Sequence, residues 1–330
     1  MNIKKMNTIG IIDTTICDNN LGNFIIMDAV YKHLRDIFQN DFFIKLPYLD
    51  DFSDNMLRYM EQCKYVFVGG TNLLSSQMDC FKQIGLTKDN SKEVANKLVL
   101  LGVGWWQYQG CINGYTEDVL NNALSKTCIH SVRDKYTESK LKSIGITNVI
   151  HTGCPSMWGL TKEKCKKIRK SKSAEKGGKA IVSFTDYNRN YERDRLLFDI
   201  VSRNYREVYA WIQGPSDYEY ISNMGKVEFI PPRLDALHSF MKSTEVDYIG
   251  LRLHMGIFSL QHNQRSIIIG IDNRAIEMKK SYNLPVVEEN RIEDELEGAI
   301  YNEQPNSITV PMDNIRIWKN QFENNMIDKY

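Results

Sequence analysis

Twelve short apolar runs, in two series of six parted by a basic segment, constrain this chain more than any other feature. The first series is TIGIID (8–13), FFIKLPY (42–48), YVFVGG (65–70), KLVLLGVG (97–104), CIHSVRD (128–134) and NVIHTG (148–153). The second is KAIVSFT (179–185), EVYAWIQG (207–214), KVEFIPP (226–232), VDYIGLRLH (246–254), SIIIGID (266–272) and LPVV (284–287). Between them lie segments such as GNFIIMDAVYKHLRDIF, whose apolar residues recur at helical spacing. Runs buried on both faces and separated by helices specify an α/β protein with mostly parallel sheets. The expected organisation is an N-terminal α/β domain over 1–160, a basic linker over 161–178 and a second α/β domain over 179–305. A helical segment over 306–330 is expected to pack back on the first domain. Two such domains of similar size imply a bilobed molecule with a central cleft.

Composition removes several classes of function. With 42 basic and 41 acidic residues the formal charge is +1, so no global field gathers nucleic acid. The first twenty residues lack a signal-peptide core, and nowhere do ~18 apolar residues run together. A cytoplasmic protein is expected. Seven cysteines without C-x-x-C spacing read as reduced thiols, and neither a metal site nor a cofactor is expected. The stretch 161–179 carries nine basic and two acidic residues. It reads as a solvated linker, with peripheral contact to anionic lipid, at roughly 1 kcal/mol per charge, as the sharper alternative.

Ligands of open parallel sheets bind beyond the carboxyl ends of the strands. Gly69-Gly70-Thr71-Asn72 follows the third run, and Gly102-Val103-Gly104-Trp105-Trp106 the fourth. Neither fits the dinucleotide or P-loop fingerprints. The fifth run ends in Arg133-Asp134, a second-series run in Gln213-Gly214-Pro215, and another in Arg252-Leu253-His254. Guanidinium groups suit tetrahedral or planar anions because their forked donors bind bidentately. Residues i and i+2 of a strand share a face, so Arg252 and His254 are expected to point to one site. His254 also opens a helix, whose N-terminus favours an anion and, with one bound, a proton-carrying ring suited to general acid chemistry. The remaining histidines, His33, His130, His151, His238 and His262, receive no role; His33 reads as lying in a surface helix. Trp105, Trp106 and Tyr108 offer faces for a sugar ring, or else a hydrophobic plug.

SVRD, GCP and LRLHMGIFSL…RSIIIGIDNR…LPVV together resemble the polysaccharide pyruvyl transferase family, over most of the chain from DNNLGN (18–23) to LPVV. The resemblance implies a GT-B-like fold of two Rossmann-type domains facing a cleft. It also implies transfer of the enolpyruvyl carbons of phosphoenolpyruvate to a sugar as a pyruvate ketal, with release of phosphate. Arg133, Arg252 and Arg274 would hold the donor, and His254 would be the catalytic acid/base. Asn20, Gly22 and Asn23 match the family's first turn; with Gly70, Thr71, Asn72, Trp105, Trp106 and Tyr108 they are candidates for the acceptor side. The partners implied are phosphoenolpyruvate as co-substrate and a saccharide, free or lipid-linked at the inner membrane face; the chemistry requires no metal. Four departures imply a divergent branch. Leu251 replaces a serine before R-L-H, Thr71 a third glycine, Cys154 the aspartate of an Asp-Pro, and Arg274 the lysine of D-x-K. Two other readings compete: a GT-B nucleotide-sugar glycosyltransferase, and a non-catalytic sugar- or phosphate-binding member of a polysaccharide assembly.

Overall fold

All twelve apolar runs form strands. The computed structural model describes residues 6–170, 178–302 and 307–323. The first six strands are β1 (Thr8–Ile12), β2 (Phe42–Leu46), β3 (Tyr65–Gly69), β4 (Leu98–Val103), β5 (His130–Val132) and β6 (Val149–His151). They pair in parallel in the order β2-β1-β3-β4-β5-β6. The other six are β7 (Lys179–Ser183), β8 (Glu207–Trp211), β9 (Glu228–Ile230), β10 (Asp247–Gly250), β11 (Ser266–Gly270) and β12 (Val286–Glu288). They pair in parallel in the order β12-β11-β10-β7-β8-β9. Central strands such as β4 (LVLLGV) and β11 (SIIIG) are buried along their whole length, which is why they read as continuous rather than alternating apolar runs. Each fully buried Leu or Ile there contributes roughly 1.5–3 kcal/mol.

The chain divides into two compact units: Met1–Asp18 with Ile26–Trp158 and Pro311–Tyr330, and Asn19–Ile25 with Gly159–Val310. The short segment 19–25, a turn and the first residues of the helix Leu21–Ile37, therefore belongs with the second unit although it is early in sequence. The helix Met312–Glu323 belongs with the first, where Trp318 and Phe322 lie 5.9 and 5.3 Å from Phe67, centre to centre. In the described part of the basic segment, Cys165 and Ile168 are buried and Arg169 pairs with Asp247. Residues 161–170 are thus anchored to the fold at three positions while Lys162, Lys166, Lys167 and Lys170 remain exposed; 171–177 lie outside the described residues, as do 1–5, 303–306 and 324–330. Among the described residues no helix is long and apolar enough to cross a membrane.

In each sheet the strand order reverses at one point, between β1 and β3 in the first and between β7 and β10 in the second. The tenth strand is shorter than its apolar run. A side chain on Gly250 would come within 2.8 Å of the Ser183 backbone, so only glycine lets β10 and β7 approach this closely. Just beyond, the Tyr248 hydroxyl donates to the Arg252 carbonyl (2.9 Å) and accepts from the Arg252 amide (3.0 Å). Its one proton is thereby committed, so Ser183 donates to Tyr248 at 2.7 Å. This knot ends the strand and turns the chain into the helix Leu253–Gln261. Arg252 and His254 are therefore a helix N-cap and a first-turn residue, not alternate residues of a strand.

Two histidines are core groups. His33, expected on a surface helix, is 9% exposed, faces Trp158 and bonds the Pro155 carbonyl at 3.1 Å through Nε2. His130 accepts the Leu100 amide on Nδ1 (3.2 Å) and donates from Nε2 to Ser125 (2.8 Å). Burial pushes both rings down from 6.5 to about 4. Both are neutral when folded and must bind protons on acid unfolding. Their contribution is complete above pH 6.5 and is lost as pH falls through about 4, on the order of several kcal/mol together. The urea midpoint is expected to fall between pH 7 and pH 5, and His33→Gln with His130→Gln to flatten that fall. An unchanged pH slope in the double variant would remove these rings as the cause.

Candidate functional site

The switch point of the second sheet carries a small pocket that opens to solvent. Every residue lining it belongs to the second unit: Asn20, Gly22, Asn23, Tyr187, Gln213, Arg252, Leu253, His254 and Arg274. Tyr187 follows β7 and Gln213 follows β8. Arg252, Leu253 and His254 follow β10, and Arg274 follows β11. The carboxyl ends of four strands thus supply most of the site.

Three helices begin at this pocket. Leu21–Ile37 starts on the Asn20 turn, where Asn20 Oδ1 accepts the Gly22 amide (3.0 Å) and the Gln213 carbonyl accepts the Leu21 amide (3.1 Å). Leu253–Gln261 starts on Arg252 with no side-chain cap. Asn273–Tyr282 is capped by Asp272, which accepts the amides of Arg274 (3.0 Å) and Ala275 (3.4 Å). Helix N-termini bring partial positive charge and favour a bound anion.

The two arginines are held by carboxylates. Arg252, 5% exposed, donates from Nε to the Phe184 carbonyl (2.6 Å) and from Nη2 to Asp186 and Asp217 (3.0 Å each). Asp217 is itself buried; its Oδ2 also accepts the amides of Gln213 (3.2 Å) and Gly214 (3.1 Å). Burial pushes its carboxyl above the usual range, against the pull of Arg252. Arg274 donates to Asp272 (2.9 Å) and to the Tyr187 hydroxyl (2.5 Å). The Tyr187 ring lies 5.6 Å from the Arg252 guanidinium and 5.4 Å from that of Arg274. Guanidiniums fixed in this way have little rotamer freedom left to lose when a ligand binds. His254, 7% exposed, stands in the first turn beside Arg252. The pocket thus combines two oriented cations, an imidazole and three helix N-termini, a set that can hold a small anion and move a proton.

Several expected site residues are elsewhere. In the first unit Arg133 is 1% exposed, donating to Asp134 (3.1 Å) and to Asn72 (2.5 Å). Its guanidinium lies against Gly104, where an added Cβ would meet Cζ at 2.3 Å. Sequence reasoning chose Asn72, Arg133 and the Gly-rich loops, and the fold does unite them. The result is a buried tie between the ends of β3, β4 and β5. Thr71 sits at φ +51°, a left-handed conformation that suits the glycine it replaces better than a β-branched residue. Gly70, at φ +55°, has no room for a side chain because Ile26 would lie 2.1 Å away. Trp105 is fully buried, its indole N–H bonded to Gln109 (3.0 Å), and offers no face to a sugar. Trp106 stacks on Phe81 at 4.9 Å, and Tyr108 is exposed. Asn20, Gly22 and Asn23, assigned by sequence to the acceptor side, line the same pocket as Arg252, His254 and Arg274. Tyr187 carries no sequence signal that marks it for the site, whereas Gln213 closes an apolar run at a Gly-Pro turn.

The sequence model of one family, polysaccharide pyruvyl transferase, matches residues 20–273, from the Asn20 turn to the start of the Arg274 helix. The chain belongs to that family. Comparison with curated proteins gives no match. Among solved structures, S. aureus MnaA with UDP resembles the chain at a TM-score of 0.50 and 11% identity, over 98% of each chain. E. coli heptosyltransferase WaaC with ADP-2-deoxy-2-fluoro heptose gives a TM-score of 0.39 and 10% identity, over 88% of this chain and 99% of that one. The fold of this pyruvyl transferase family member is GT-B-like, with two Rossmann-type sheets.

Proposed function

We propose that this chain transfers the pyruvyl carbons of phosphoenolpyruvate to two hydroxyls of a saccharide, forming a pyruvate ketal and releasing phosphate. The observation that carries the reading is the shared pocket of His254, Arg252 and Arg274, ringed by helix N-termini. Phosphoenolpyruvate carries a phosphoryl group and a carboxylate, and a site of donors and cations complements both. In the reaction a proton goes to C3, giving a methyl group and oxocarbenium character at C2. One sugar hydroxyl attacks C2 and loses its proton. Phosphate then leaves C2, and a second hydroxyl closes the ketal, losing its own. His254 delivers the first proton, and Arg252 and Arg274 stabilise the departing phosphate. Exposed Tyr108 and half-buried Trp106, the members of the aromatic loop that keep contact with solvent, are the sugar-facing candidates. The acceptor is a unit of a surface polysaccharide or its lipid-linked precursor, modified in the cytoplasm.

Thermal melts with phosphoenolpyruvate, and separately with UDP, test the reading on wild type and Arg274→Ala. Arg274 is the better probe because its carboxylate partner also caps a helix and keeps those bonds. At about 100 times its Kd a ligand stabilises the fold by ~2.7 kcal/mol. Phosphoenolpyruvate is expected to raise the wild-type melting temperature, with most of the shift lost in the variant. A shift with UDP alone would replace the pyruvyl reading by a nucleotide-sugar one.

A further inference from the structure

We propose that Gln213 reads the bound anion, its Nε2 donating a hydrogen bond to an acceptor-only oxygen of the ligand. The inference rests on the pyruvyl-transfer reading of the pocket and adds a residue that the family motifs do not point to. Gln213 is 2% exposed, lines the pocket, and its Nε2 is buried with no hydrogen-bond partner. Its backbone is fully employed: the amide bonds Asp217 (3.2 Å) and the carbonyl accepts the Leu21 amide (3.1 Å). Those two bonds tie it to the carboxylate that orients Arg252 and to the turn that starts the Asn20 helix. On the other side its Oε1 lies 3.4 Å from where a Gly22 side chain would begin.

A buried amide donor without an acceptor is unfavourable, and folded proteins rarely leave one unused. Here the backbone holds the residue in place while the side-chain donor stays unspent in the pocket wall. A carboxylate or phosphoryl oxygen supplies what is missing, because it can only accept. A neutral donor beside two arginines adds selectivity without adding charge. It rewards a ligand with an oxygen at that point and penalises an analogue lacking one.

The variants are Gln213→Leu, which keeps the bulk and removes the donor, and Gln213→Glu, which keeps the shape and substitutes a repelling acceptor. Calorimetry on the full chain would give Kd for phosphoenolpyruvate and for inorganic phosphate, beside the ligand-free melting temperature. Gln213→Leu is expected to melt at or above wild type while binding phosphoenolpyruvate about 10-fold more weakly. Gln213→Glu should bind more weakly still, and in turnover KM should rise more than kcat falls. If Gln213→Leu does not fold, Gln213→Glu decides alone. Phosphoenolpyruvate affinity within twofold of wild type in the folded variants overturns the role of Gln213 and leaves the pyruvyl reading standing. If wild type does not bind phosphoenolpyruvate, the pyruvyl reading fails and inorganic phosphate decides the residue. Weaker phosphate binding in the variants keeps Gln213 as an anion reader; equal or absent binding overturns it.

Discussion

Replacing His254 with alanine is expected to lower kcat by about 10²–10⁴-fold, with a much smaller change in the Kd for phosphoenolpyruvate. The ring stands in the first turn of Leu253–Gln261, beside the N-cap Arg252 and in the same pocket as Arg274. Under the proposed mechanism, removing it takes away proton transfer to C3 while leaving both guanidiniums, Gln213 and the Asn20 turn to hold the donor. The split separates chemistry from binding: an interaction used only in the transition state lowers kcat and kcat/KM together. The measurement is phosphate release against donor concentration, with binding followed separately. Unchanged turnover in a folded His254→Ala protein would assign the proton transfer elsewhere. Unchanged biological complementation would favour the non-catalytic alternative.

Arg252→Met is expected to destabilise the protein by about 3 kcal/mol, whether or not a donor is present. Asp217 is 2% exposed and loses its cation, while its unbonded Oδ1 is already buried. Adding Asp217→Asn should recover most of the loss. The asparagine carbonyl still accepts the Gln213 and Gly214 amides, and no uncompensated buried charge remains. Asp186, more exposed, contributes less. Urea midpoints of wild type, single and double variants decide it. A double variant no more stable than Arg252→Met would show that the arginine acts through its bonds to Phe184 and Asp186 instead. The loss of stability also means that weak donor binding by an Arg252 variant, taken alone, does not identify a ligand contact.

Much of this fold is legible in the order of the amino acids. Strands such as β4 and β11 are so uniformly apolar that only burial on both faces accounts for them, and every apolar run became a strand. The second-unit site was legible in part, because an arginine and a histidine after an apolar run are hard to explain otherwise. Three side chains lie deeper than their residue types suggest, and for one reason. His33, Arg133 and Trp105 carry polar groups that sequence reasoning sends to a surface or a ligand. In the fold each finds an internal partner instead: Pro155 for His33, Asn72 and Asp134 for Arg133, and Gln109 for Trp105. A partner brought from 61 residues away, as Asn72 is to Arg133, has no local signature. The same holds for Tyr248, whose hydroxyl ends β10 and turns Arg252 and His254 onto a helix.

By itself the sequence determined the class of fold, the number of strands and the strand ends where chemistry gathers, since periodicity and Gly-rich strand ends are local properties of the chain. Only the tertiary structure decided which ends meet. It joined the Asn20 turn to the second unit, set Gln213 and Tyr187 beside Arg252 and Arg274, and closed Arg133 into a buried tie. The reason is that strand order, 2-1-3-4-5-6 in one sheet and reversing between β7 and β10 in the other, follows from nonlocal packing. Strand order, not sequence order, determines which side chains share a pocket.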